Sequence, residues 1–241
     1  MNARLEVLPD CAAISRVAAG IIHDAVRRKP DLLLCTATGA SPTDTYARLA
    51  ELQEQTPADF SSIRVIKLDE WGGLPMDDSG SCESYLRKHL LDPLGIGDDR
   101  YVGFESRPED GDEECREIRE WLERQGPIDM AILGLGMNGH VALNEPADSL
   151  EPFAHVAELA PSSLSHSMLQ SSRYRPQFGL TLGLGEILQA RRVILLVSGE
   201  SKREVFAHWR QGRLSTRFPA SLLHLHPRLT CLCDREAVSE V

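Results

Sequence analysis

A chain of 241 residues, 42% of them apolar, has enough material for one α/β domain with a substantial core. Its formal charge of −10, from 26 basic and 36 acidic residues, argues against nucleic acid as a main partner, yet a small anion needs only a local positive pocket. The first residues, MNARLEVLPD, lack the apolar segment of a secretory leader, and the longest apolar runs are far too short to span a membrane, so a cytoplasmic location with no membrane partner is expected.

Residues 11–28, CAAISRVAAGIIHDAVRR, repeat apolar positions at three and four and end in basic residues, which predicts a helix. DLLLCT (31–36) reads as a buried strand. After it, ATGASPTDTY predicts a helix to Leu52, with Ser41 as N-cap and Pro42 at the first helical position. IRVIKL (63–68) is a second strand, and DEWGGLP leaves it as a loop. Further helices are expected over Ser81–Leu91 and Asp112–Gln125, entered from polar loops at 76–81 and 106–114. DMAILG (129–134), RVILLVS (192–198) and RLTCLC (228–233) complete five strand-like runs, and a helix is expected over Glu200–Trp209. The six cysteines are scattered without a CxxC pair and read as reduced core residues; Cys231 and Cys233 share a strand face, a weak spacing for a metal. Alternating strands and helices with no repeat or linker predict a single domain over 1–241. Its fold class is α/β: a three-layer, mostly parallel, Rossmann-like sheet with helices on both faces.

In such a sheet ligands bind beyond the carboxyl ends of the strands, so the residues following each strand carry the functional information. Thr38, Gly39, Ala40 and Ser41 follow the first, where a helix N-terminus would offer amides to an anion; a plain capped turn is the simpler reading. Asp69 and Glu70 follow the second. Neighbouring residues on a strand point oppositely, so at most one enters a given pocket, and a pair of solvated acids is the plain alternative. Lys202 lies in a first helical turn, where the dipole disfavours it unless an anion is near. GLGMNGHVALNEP (134–146) contains G-x-G-x-x-G at Gly134, Gly136 and Gly139, and Glu158 lies nineteen residues on. Pro146 and Pro152 interrupt the crossover helix that a dinucleotide site requires, so that reading fails. What remains is His140 with Asn138, Asn144 and Glu145 nearby. Together the four strand ends provide an anion clamp, a carboxylate and an imidazole for proton transfer.

LLLCTATGASPTDTYARL, VIKLDEWGGLP, DMAILGLGMNGHVALNEP and LGLGEILQARRVILLVSGESK resemble, in order, the glucosamine-6-phosphate deaminase/6-phosphogluconolactonase superfamily over about residues 10–235. KLDEW with GSCESYLRKHLLDPLGI is most similar to the galactosamine-6-phosphate deaminase/isomerase branch. The resemblance implies conversion of a phosphorylated amino sugar, galactosamine 6-phosphate or glucosamine 6-phosphate, to a ketohexose 6-phosphate and ammonia, with no cofactor and no metal. It implies His140 as the proton shuttle of ring opening, Asp69 as the base that moves a proton from C2 to C1, and Glu145 as the group orienting His140. Thr38, Gly39, Ala40, Ser41, Gly136 and Lys202 are implied in substrate binding, and a homo-oligomer is left open.

Three departures from the family pattern stand out. Asn138 replaces an aspartate found in some deaminases, leaving His140 one carboxylate partner. The segment that supplies a phosphate arginine in many deaminases reads SHSMLQSSRYR, where Arg173, Arg175 and His166 are the basic residues on offer. The tail of the large allosteric members has no counterpart, so their hexosamine regulation is not expected. A sugar-lactone hydrolase of the same fold has no use for Glu145, and a non-catalytic sugar-phosphate binder has no use for Asp69, His140 and Glu145 together.

Overall fold

The structure, a computed structural model, describes residues 4–238. Strand β1 (Arg4–Leu8) leads into helix α1 (Cys11–Arg28), which starts where the Asp10 carboxylate accepts from the Ala13 amide at 2.8 Å. There follow β2 (Leu33–Thr36), α2 (Ala40–Gln55), β3 (Arg64–Lys67), β4 (Asp69–Gly72), α3 (Cys82–Leu86), continued by a π-helical turn over Arg87–Leu91, and β5 (Tyr101–Val102). The second half comprises α4 (Gly111–Gln125), β6 (Met130–Gly134), β7 (His155–Ala157), α5 (Pro161–Leu164), β8 (Phe178–Thr181), α6 (Leu184–Gln189), β9 (Val193–Val197), α7 (Arg203–Arg210), β10 (Leu229–Asp234) and α8 (Arg235–Val238).

Seven strands form a parallel sheet in the order β1-β10-β9-β6-β2-β3-β5. The five runs expected as strands are its inner members. The edges, β1 and β5, carry no such signal: β5 has two residues, and β1 leaves Leu5 and Val7 exposed. Alternate residues of the inner strands feed two cores. Leu33, Cys35, Ile66, Leu133 and Leu195 share one with apolar residues of α4, α6 and α7. Leu34, Val65, Ile132, Ile194 and Leu196 share the other with α1 and α2. This is the expected three-layer arrangement.

Two expectations are corrected. Helix α2 begins at Ala40 and is capped at Gly39, not Ser41, because Gly39 at φ 92° turns the chain off β2 sooner than a serine cap would. DEWG is not a solvated loop but strand β4, which pairs antiparallel with β8 in a second sheet ordered β4-β8-β7. The chain passes between sheets at Leu68, whose amide donates to Thr36 O at 3.3 Å and whose carbonyl accepts from Leu182 N at 2.9 Å. Gly72 pairs across from Phe178, whose ring occupies the place of a side chain there.

Connectivity places a crevice. From β2 the chain proceeds to β3 and β5 on one side, and from β6 to β9 and β10 on the other. Strands β2 and β6 are neighbours, so the loops leaving them diverge and open a cleft at their carboxyl ends.

Candidate active site

That cleft holds a pocket of about 350 Å³. Asp69, His140, Thr38, Ala40, Ser41, Gly136 and Lys202 all line it. Gly39, Asn138 and Glu145 are absent from its wall and support residues that form it. The four strand ends singled out in the sequence therefore meet.

The loop after β2 is tied down by its carbonyls. Ala37 O accepts from the Tyr46 hydroxyl at 2.7 Å. Gly39 O accepts from the Tyr85 hydroxyl and from Thr43 Oγ1, each at 2.9 Å. The first-turn amides of α2 have no acceptor within the helix and lie at its positive end, where Ala40 and Ser41 meet the pocket. Lys202 enters from the turn after β9. Burial holds its ammonium below the ordinary lysine range, and its Nζ donates to Leu135 O at 2.6 Å. A single carbonyl leaves most of that ammonium's hydrogen-bonding capacity and its charge for an anion.

Asp69 starts β4 and faces the cleft, whereas Glu70, on the opposite face, is wholly buried. Glu70 accepts from the amides of Trp71, Cys82 and Glu83, each at 2.8 Å, and from Lys67 Nζ at 2.8 Å. Lys67 is itself fully buried and also donates to Glu83 at 3.0 Å. Burial works against its ammonium, but the Glu70 and Glu83 carboxylates outweigh that and raise it above the ordinary range. Burial, reinforced by the Glu70 charge, pushes the Asp69 carboxyl up to about 7, against smaller opposing effects of Lys67 and Cys82. A carboxylate that titrates near neutrality is a competent general base.

His140 follows a loop without a crossover helix: no helix lies between β6 and Pro161. Gly136 is required by contact, since a Cβ there would stand 2.3 Å from His140 Cδ2. Gly139 adopts φ 88°, and a Cβ on it would collide with Phe218. Ala142 holds φ 54°, a left-handed conformation that costs a residue with a side chain about 1 kcal/mol or more. On the ring, Nδ1 lies 3.4 Å from Glu145 Oε2 and 3.3 Å from Ser163 Oγ. Nε2 is left for the pocket. Glu145 is held in turn by Ser163 Oγ and by Asn138 Nδ2, the latter at 2.8 Å. Burial would raise its carboxyl, but the bonds from His140, Ser163 and Asn138 prevail and lower it, so it stays ionised. Asn138 thus acts on Glu145 and, through Oδ1, on the His140 amide at 3.1 Å, not on the ring.

Sequence reasoning missed Ser163, Lys67 and Glu83. Ser163 reaches His140 from α5, 23 residues away, and nothing in SSLSHS marks it. Glu158, the acid spaced for a dinucleotide site, lies just past β7 and outside the pocket wall. Arg173 and Arg175 are exposed and line an adjoining cleft, whereas His166 lines both. Among the described residues no cluster of three or more His, Cys, Asp or Glu is placed to hold a metal.

An open parallel sheet whose switch point gathers helix-end amides, a lysine, a neutral-range carboxylate and a carboxylate-held imidazole has the groups of an α/β acid–base enzyme. Residues 11–231 match the family described as glucosamine-6-phosphate isomerases/6-phosphogluconolactonase, and the chain belongs to it. Escherichia coli (strain K12) AgaI, which carries a provisional deaminase name, is 39% identical over 95% of this chain and 91% of its own length. The glucosamine-6-phosphate deaminase of Thermoanaerobacter pseudethanolicus (strain ATCC 33223 / 39E) is 35% identical over 94% of this chain and 90% of its own. A solved monomeric glucosamine-6-phosphate deaminase superposes with a TM-score of 0.92 at 33% identity, covering 97% of this chain and 98% of its own.

Proposed function

We propose that the chain is an amino-sugar-6-phosphate deaminase that acts as one catalytic unit on glucosamine 6-phosphate or galactosamine 6-phosphate. The observation that carries this reading is the pairing, in one pocket, of a carboxylate near pKa 7 with an imidazole held on a carboxylate. Ring opening moves a proton between O1 and O5, and His140 Nε2 is the group to carry it, with Glu145 fixing the tautomer at Nδ1. In the open chain, C2–H lies next to the C1 carbonyl. Asp69 takes that proton while O1 gains one, which leaves an enolamine; return of the Asp69 proton to C1, with loss of one N–H proton, gives the 2-imino ketose. Water adds to the imine, and ammonia leaves with the ketohexose 6-phosphate. The phosphate rests on the first-turn amides of α2 and on Lys202.

A lactone hydrolase needs a base to activate water but no second carboxylate clamped behind the histidine by Asn138 and Ser163. The relatives at 33–39% identity support the deaminase reading. No described helix is long and apolar enough to cross a membrane, in keeping with a cytoplasmic enzyme. The purified protein is expected to release ammonia from at least one of the two amino sugar phosphates with neither metal nor nucleotide added. Hydrolysis of 6-phosphogluconolactone with no ammonia from either amino sugar would refute the assignment.

A further inference from the structure

His166 is the basic side chain of the pocket that the chemistry above leaves unused. It sits after α5 and caps the 3-10 turn Ser167–Ser171, its Nδ1 accepting from the Met168 amide at 3.3 Å. That bond selects the tautomer in which Nε2 carries the proton. Nε2 has no protein partner among the described residues. The ring stands over the start of α2: a Cβ on Gly39 would lie 3.1 Å from His166 Cε1 and 3.4 Å from Nε2. Trp71 backs it, with ring centroids 5.9 Å apart. Burial, with His140 and Lys202 near by, holds the imidazole below its ordinary range, so near pH 7 it offers one fixed N–H, not a mobile charge. Arg173 and Arg175, exposed on the adjoining cleft, do not take this place.

We infer that His166 is a phosphate ligand, donating from Nε2 to an anion seated on the α2 amides and Lys202, and that it contributes to binding without taking part in proton transfer. The inference rests on the sugar-phosphate reading above, but its test does not require turnover. In His166→Asn the short side chain keeps an acceptor for the Met168 amide and loses the reach of Nε2. In His166→Gln the amide N–H reaches the Nε2 position. Binding of inorganic phosphate, measured by calorimetry on the full chain, is expected to weaken about tenfold in His166→Asn and to stay within about threefold of the parent in His166→Gln, as the loss of one hydrogen bond to a charged group requires. KM for the amino sugar phosphate should rise in parallel, with kcat within about threefold. Equal phosphate binding in all three proteins, or a fall in kcat at unchanged KM, would overturn the inference. Weakened phosphate binding in a protein whose parent releases no ammonia supports the role of His166 and discards the deaminase reading.

Discussion

Asp69 carries the sharpest consequences at the level of single residues. As the base it must be ionised, so kcat/KM should rise with pH through about 7 and level off above it. A pH–rate profile with no inflection between pH 6 and 8 contradicts the assignment. Asp69→Asn should remove turnover by at least about a thousandfold and stop exchange of the C2 proton with solvent, while phosphate still binds. The same shift acts on stability. A carboxyl raised in the folded state stabilises fully below its unfolded value, and that contribution is lost as pH rises through the folded value. The span from 3.8 to about 7 corresponds to at most about 4 kcal/mol. Access to cleft water lowers this, so Asp69→Asn should be about 1–2 kcal/mol more stable than the parent at pH 8 and no more stable at pH 3. Urea unfolding at the two pH values tests the sign.

Among the elements, the loop after β6 is built around one ring. Its three glycines have different jobs: Gly136 clears the face of His140, Gly139 supplies the left-handed turn beside Phe218, and Gly134 meets only ordinary contacts near Ser41. Gly136→Ala should displace the imidazole and lower kcat about a hundredfold or more, with the melting temperature changed by only a few degrees. Normal kcat in that variant would show that ring placement tolerates the displacement. The glycines, His140 and Glu145 were legible in GLGMNGHVALNEP because they are close in sequence. The pairing that makes the small sheet was not. IRVIKLDEWGG reads as one strand running into a loop, since pairing of β4 with β8 joins residues more than a hundred positions apart. Nor could the polar pattern separate Asp69 from Glu70 beyond saying that they diverge; pairing with Thr181 and Leu180 decides which one faces the cleft.

Across the molecule, one buried ionic cluster joins the large sheet, the small sheet and α3. Lys67 ends β3, Glu70 lies in β4, Glu83 in α3, and the Tyr101 hydroxyl of β5 donates to Glu83. Lys67→Met would leave the buried Glu70 without a cation, while Glu83 keeps Arg87 at 2.8 Å, and should cost about 3–5 kcal/mol by chemical denaturation. It should also push the Asp69 titration further upward by removing a nearby positive charge, which moves the rising limb of the pH profile to higher pH. An unmoved limb in a folded variant would exclude this coupling.

The sequence by itself determined the three-layer architecture and the five inner strands, because strands buried on both faces must be continuously apolar and the helices between them must be amphipathic. It also determined the chemical groups at the strand ends. The convergence of those ends on one sheet edge was also expected; only the tertiary structure decided that it falls at the β2/β6 switch point, that Glu70 is a buried ligand of Lys67 while Asp69 faces the cleft, and that Ser163 and His166 join the site from a distant segment. Strand order and long-range pairing are set by how apolar faces are shared among elements, and that sharing leaves no local mark on the residues it brings together.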